Sequence, residues 1–211
     1  MTQNKEQSTK NQEHISGIIL AAGQSKRMGA FKPLLPFGSK TVIESCVNYL
    51  ADGGVETIVV VIGQNGESIK QKLQGTAVHF ALNPDPESAM SNSIKYGVSE
   101  LPSEAQATFI TPADHPAVPA AVVAELAKEW RKGGKILVPE FHGRGGHPVL
   151  IDLCLRNELV NLDAARGLRA LFETYSQEVR RIPVGCPFVA RDMDTWDDYR
   201  LLHEDVFGVA P

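Results

Sequence analysis

The chain has few of the features that would assign it quickly. Only three cysteines occur in 211 residues, Cys46, Cys154 and Cys186, odd in number and far apart. That excludes a disulfide framework and a C-x-x-C metal knuckle; Cys46 and Cys154 stand among apolar residues and are expected to pack as small hydrophobes. The six histidines never recur at H-x-x-x-H spacing, which argues against structural zinc. No apolar run is long enough to span a bilayer, and the polar N-terminus has no signal-peptide core, so no membrane partner is expected and the expected location is cytoplasmic. A basic surplus is also missing. With 21 Lys and Arg against 25 Asp and Glu, the net charge is −4, against a nucleic-acid surface but compatible with a local cationic pocket. Neither G-x-G-x-x-G nor G-x-x-x-x-G-K-[ST] occurs, which counts against dehydrogenases and P-loop NTPases. No nucleophile elbow supports hydrolase chemistry. Internal repeats and low-complexity linkers are absent.

What is present is an alternation of strand and helix signals. Residues 1–14 are polar and predict a flexible tail; residues 15–205 predict a single domain. The apolar content of 43% is ordinary for a globular protein. Strands are expected at Ile15–Ala21, Thr57–Ile62, Ala77–Leu82, Ala107–Thr111, Lys135–Pro139, Pro148–Ile151 and Val179–Ile182. Their β-branched runs suit a sheet covered on both faces. Helices are expected at Thr41–Leu50, Glu67–Leu73, Ser91–Leu101, Pro119–Trp130, Leu153–Leu159, Ala164–Tyr175 and Trp196–Glu204. The alternation predicts an α/β fold of three layers, αβα, around a mostly parallel twisted sheet.

Three polar segments follow predicted strands: 20–33, 83–93 and 112–116. In an open α/β sheet, ligands sit beyond the carboxyl ends of strands, so these segments are expected to converge. The first, Leu20-Ala21-Ala22-Gly23-Gln24-Ser25-Lys26-Arg27-Met28-Gly29-Ala30-Phe31-Lys32-Pro33, combines small residues with three cations. Small residues admit close backbone approach by a ligand; exposed N–H groups and cations hold phosphates. It predicts a nucleotide triphosphate site.

Leu20–Leu35, with Ala-Ala-Gly, Ser-x-Arg-Met-Gly and Lys-Pro-Leu-Leu, resembles the opening motif of nucleotidyltransferases, and most closely that of the molybdenum cofactor cytidylyltransferases. Four further segments resemble that family in order: Thr111-Pro112-Ala113-Asp114-His115-Pro116, Gly145-Gly146-His147-Pro148-Val149-Leu150, Ala164-Ala165-Arg166-Gly167-Leu168, and Asp192-Met193-Asp194-Thr195 with Asp197-Asp198-Tyr199. The likeness spans about residues 15 to 200. Departures are Ala89 where the family often has Gly, Ala113-Asp114-His115 where Gly-Asp-Gln is commoner, and Trp196 in place of Pro.

The resemblance implies a Rossmann-like nucleotidyltransferase fold and transfer of CMP from CTP to the phosphate of a molybdopterin-type cofactor, with release of pyrophosphate. A molybdenum hydroxylase is then the implied recipient. The alternatives are the same transfer to a sugar phosphate or another phosphate, and a non-catalytic cofactor maturation or insertion factor. A phosphate nucleophile is largely anionic near neutral pH, its second pKa being about 6, so no general base is required. Alignment and charge neutralisation remain to be supplied. In this reading Arg27, Lys32 and Asp114 are catalytic. Leu20, Ala21, Ala22 and Gly23, with Arg27, Lys32, Asn83, Ser88 and Ser93, bind the nucleotide. Mg²⁺ takes one or two carboxylates plus phosphate oxygens, here Asp114 and Asp194, with Asp192 as the alternative to Asp194. Gly146 and His147 contact the second substrate; His147 alternatively bonds the backbone of a turn. His115 neighbours the metal without ligating it. Lys26 reads as a solvated cation, and Arg144 and Arg166 as anion contacts or surface ion pairs. Capping of the next helix is the competing reading for Asp114 and Asp194, with metal binding favoured for both. Met28 and Met90 are expected to pack.

Overall fold

A computed structural model of the chain describes residues 13–23, 28–85, 87 and 89–211. The expected tail, and the predicted site residues Arg27 and Ser88 together with Lys26, lie wholly or largely outside the described residues. Glu13 and His14 are described: His14 Nε2 lies 3.0 Å from Thr57 Oγ1, and Glu13 pairs with Arg131.

The strands are β1 (Ile15–Ala21), β2 (Pro36–Phe37), β3 (Lys40–Thr41), β4 (Thr57–Ile62), β5 (Val78–Leu82), β6 (Ala107–Pro112), β7 (Ile136–Phe141), β8 (Arg144–Gly145), β9 (Val149–Asp152) and β10 (Val179–Pro183). The helices are α1 (Val42–Asp52), α2 (Glu67–Lys72), α3 (Met90–Ser99), α4 (Ala120–Trp130), α5 (Arg156–Val160), α6 (Leu168–Thr174) and α7 (Trp196–Phe207). Among the described residues, the main sheet runs β10-β7-β9-β6-β1-β4-β5, with β8 paired to β7. β1 is parallel to both β4 and β6, and β4 to β5. β9 is antiparallel to β6 and β7, so the sheet is mixed as well as mostly parallel. Strand order reverses at β1, because the chain builds outward through β4 and β5 and then crosses to β6. That reversal opens a crevice beyond the carboxyl ends of β1 and β6.

Alternation along β1 divides the core. Ile15, Ile19 and Ala21 face a cluster with Ile43, Leu50, Phe109, Val123 and Leu126, under α1 and α4. Ile18 and Leu20 face Ile94, Val98, Ile110, Leu159 and Leu171, under α3, α5 and α6. α3 lies close to the sheet at Gly97, where a Cβ would stand 2.6 Å from Ile18 Cγ2. A third cluster of Met28, Phe37, Val42, Met193, Tyr199 and Leu202 fastens α7 to the β2–β3 hairpin.

Several expectations need correction. The helix expected from Ala164 starts at Leu168, after Gly167 at φ +53°, a left-handed backbone that interrupts any earlier turn. The Leu153–Leu159 helix divides into α5 and a 3₁₀ turn, Leu153–Leu155, capped at its start by the Asp152 carboxylate, which accepts from the Cys154 amide. Cys154 is exposed rather than packed, whereas Cys46 is buried. Met90 is 57% exposed, while Met28 packs as expected.

Candidate functional site

The loops after β1, β5 and β6 meet in a cleft of about 240 Å³. Leu20, Ala21, Ala22, Gly23, Lys32, Asn83, Ser93 and Asp114 all line it. The convergence expected of the three polar segments is therefore present. The β6 end is tied to β1 by the Ala113 amide, which donates to Leu20 O at 3.1 Å. Below it, the Tyr49 hydroxyl donates to Thr111 Oγ1 at 2.9 Å, and Cys46 Sγ lies 3.6 Å from Ala113 O. Burial raises both the Cys46 thiol and the Tyr49 phenol, so both stay protonated donors. Neither residue was singled out as part of the site from the sequence, because each lies more than 60 positions from its partner.

After β5, Asn83 donates from Nδ2 to Ser93 Oγ at 2.9 Å and accepts the Asp85 amide at Oδ1 at 3.2 Å. These bonds join the loop to the first turn of α3. Asp85 and Pro33 also line the cleft.

Lys32 opens a 3₁₀ turn, Lys32–Leu34, and is only 9% exposed. Its ammonium donates to Asp194 Oδ1 at 2.8 Å and lies 3.7 Å from Asp114 Oδ2. The capping alternatives for these two carboxylates are absent. α4 has its N-cap at Pro119, and α7 is closed by a Thr195–Asp198 capping box, leaving Asp194 to Lys32. Met193 is fully buried in the third cluster, so the residues on either side, Asp192 and Asp194, both reach a neighbouring cleft. Burial raises the Asp114 pKa, Lys32 opposes this, and the Asp192 and Asp194 charges reinforce it. Asp114 Oδ1 is buried and accepts no hydrogen bond among the described residues. A buried carboxylate oxygen left in this way is costly unless a cation or donor meets it.

The second cleft, of about 1280 Å³, shares Met90, Pro112 and Asp114 with the first. His115, Gly146, His147, Arg166, Arg169 and Arg181 are among its walls. His147 fulfils the backbone alternative, its amide donating to Val189 O at 2.8 Å and its Nδ1 lying 3.5 Å from Ile110 O, and it still borders this cleft. At Gly146 a Cβ would stand 2.0 Å from Val189 O, so only glycine fits. His115 Nε2 is 3.8 Å from Asp114 Oδ1, beyond hydrogen-bond range. The two imidazoles lie 5.0 Å apart between centroids, and burial lowers each pKa to about 4. Arg166 pairs with Glu173, and Arg144 is exposed.

Among the described residues no three His, Cys, Asp or Glu side chains cluster as a ready-made metal site. Asp114 and Asp194 nevertheless fit a hard cation that takes its remaining oxygens from phosphates and water, and the unbonded Asp114 Oδ1 suits such a partner. No described helix is long and apolar enough to cross a membrane.

The chain is similar in sequence and fold to known proteins. The chain is 28% identical over 191 residues to the molybdenum cofactor cytidylyltransferase of Escherichia coli K12, covering 88% of this chain and 93% of that protein. It is 26% identical over 198 residues to nicotine blue oxidoreductase of Paenarthrobacter nicotinovorans, covering 89% and 96%. Rv0371c of Mycobacterium tuberculosis H37Rv superposes with a TM-score of 0.81 at 26% identity, covering 91% of this chain and 98% of that one; its manganese complex gives 0.78. Residues 17–179 match the family described as the MobA-like NTP transferase domain, and the chain with its β1 loop, Lys32 and Asp114 belongs to that nucleotidyltransferase family.

Proposed function

We propose that the chain transfers CMP from CTP to the terminal phosphate of a molybdopterin-type cofactor, releases pyrophosphate, and passes the product to a molybdenum hydroxylase. The observation that carries this reading is the position of Asp114 on the wall common to a small cleft and a large one. Donor and acceptor brought from the two sides would meet there. Small residues Ala21, Ala22 and Gly23 admit the nucleotide's base and ribose. Lys32, and Arg27 by its place in the motif, face the β- and γ-phosphates and oppose the charge that grows on the leaving pyrophosphate. Asp114 and Asp194 hold Mg²⁺, which when bound neutralises triphosphate charge. His115 and His147, kept neutral by burial, add no positive charge to the acceptor side. Neither is needed as a base, because a phosphate nucleophile is already ionised near neutral pH.

The 28% likeness to a cytidylyltransferase across most of both chains supports the choice of nucleotide and acceptor. The 26% likeness to a protein named an oxidoreductase is of similar extent, so the test must be chemical. The protein is incubated with Mg²⁺, molybdopterin cofactor and each NTP in turn, and pyrophosphate is counted. Release with CTP above the other three is the expected result. No release with any of the four overturns the proposal, and release only with a sugar phosphate or another phosphate acceptor reassigns the acceptor.

A further inference from the structure

Lys32 is assigned to phosphates, yet its ammonium rests on the two carboxylates assigned to the metal. It lies 2.8 Å from Asp194 Oδ1 and 3.7 Å from Asp114 Oδ2. Mg²⁺ holds its oxygens at about 2.0–2.1 Å, so an ammonium hydrogen-bonded to Asp194 Oδ1 and lying beside Asp114 Oδ2 occupies space that a cation shared by the two carboxylates would need. Removing the ammonium from the group of three would change its formal charge from −1 to −2. Lys32 also lines the nucleotide cleft, while Asp194 lines the acceptor cleft. A short movement of one flexible side chain therefore separates the carboxylates from the place a triphosphate would occupy.

From this geometry we infer that the Lys32 ammonium and a divalent cation compete for the Asp114–Asp194 pair, and that an incoming triphosphate resolves the competition by drawing Lys32 onto its own oxygens. Metal then binds weakly before nucleotide and tightly with it. This rests on the metal assignment proposed above. It adds a binding order, and a second duty for Lys32 that is distinct from gripping phosphate.

The test is Mn²⁺ binding to nucleotide-free protein, read from the EPR signal of free Mn²⁺. Lys32→Met removes the charge at similar size, and Lys32→Arg keeps it. The expected result is that Lys32→Met binds Mn²⁺ at least about tenfold tighter than the parent, the order expected when a like charge a few ångströms away is removed. Lys32→Arg should stay at the parent value, and the gain should vanish in Lys32→Met/Asp194→Asn. Adding α,β-methylene CTP should tighten Mn²⁺ binding in the parent more than in Lys32→Met. The inference is overturned if Lys32→Met is no tighter, or if Lys32→Arg tightens equally, while Asp114→Asn still weakens Mn²⁺ binding beside the nucleotide analogue. If instead neither Asp114→Asn nor Asp194→Asn alters Mn²⁺ binding with the analogue present, the metal assignment itself fails. Lys32→Gln replaces Lys32→Met should the near-UV circular dichroism of the latter depart from the parent.

Discussion

Lys32 stands between two carboxylates, 2.8 Å from Asp194 Oδ1 and 3.7 Å from Asp114 Oδ2. A lysine in a Gly-containing loop and an aspartate after a strand were both legible as phosphate and metal candidates. The contact between Lys32 and Asp194 was not, because 162 positions separate them. Lys32→Ala and Arg27→Ala are each expected to lower kcat by about 10²–10³, the loss typical of removing one preorganised charge donor. Steady-state pyrophosphate release measures this, and losses below about tenfold in both variants would remove them from the phosphate site. Gly146 makes a different demand. A Cβ there would press on the Val189 carbonyl at 2.0 Å, and backbone cannot yield as a flexible side chain can. Gly146→Ala should therefore cost about 3 kcal/mol or more, seen as a lower midpoint in urea with an unchanged slope. An unchanged midpoint would mean that the 187–190 segment moves freely.

Among the elements, those with long periodic signals were legible: β1, β4, α1, α4 and α7 all fall within a few residues of expectation. Short elements were not. The two-residue strands β2 and β3 and the 3₁₀ turn at Lys32–Leu34 are too short to repeat a hydrophobic period. They form because Phe37 and Val42 bury against α7. Strand β9 was legible at Pro148–Ile151, but its antiparallel direction was not, for a related reason. Parallel and antiparallel neighbours bury the same β-branched side chains, and direction is set by the connections. The Thr195–Asp198 box at the start of α7 allows a test confined to one element. Thr195→Ala should cost about 1 kcal/mol of stability by orphaning a helix N–H, measured by urea unfolding. Asp198→Ala should cost a similar amount, and two wild-type-like midpoints would show that α7 is held by packing alone.

For the molecule as a whole, burial of His147 makes stability depend on pH. Its folded pKa is about 4 against an ordinary 6.5, so between those values the unfolded chain takes up a proton that the folded one refuses. Stability is then fully present above pH 6.5 and falls as the pH drops towards 4, by up to about 3 kcal/mol for a shift of this size. Denaturant titrations from pH 7.5 to 4 should show the decline, and the double substitution His115→Gln/His147→Gln should flatten it, because burial lowers both imidazoles to about 4. A slope that survives the substitution would place its origin in other groups.

The order of strands and helices, the two-sided core and the chemical character of the three loops were determined by the sequence alone, because side-chain periodicity and loop composition act over a few residues and survive in any context. Only tertiary structure decided that Asp194 reaches Lys32, that the small and large clefts share Asp114, that β9 runs against its neighbours, and that two histidines are held neutral. Those outcomes depend on which distant segments pack together and on how much water packing removes from a charge, and neither quantity is a property of any local stretch of chain.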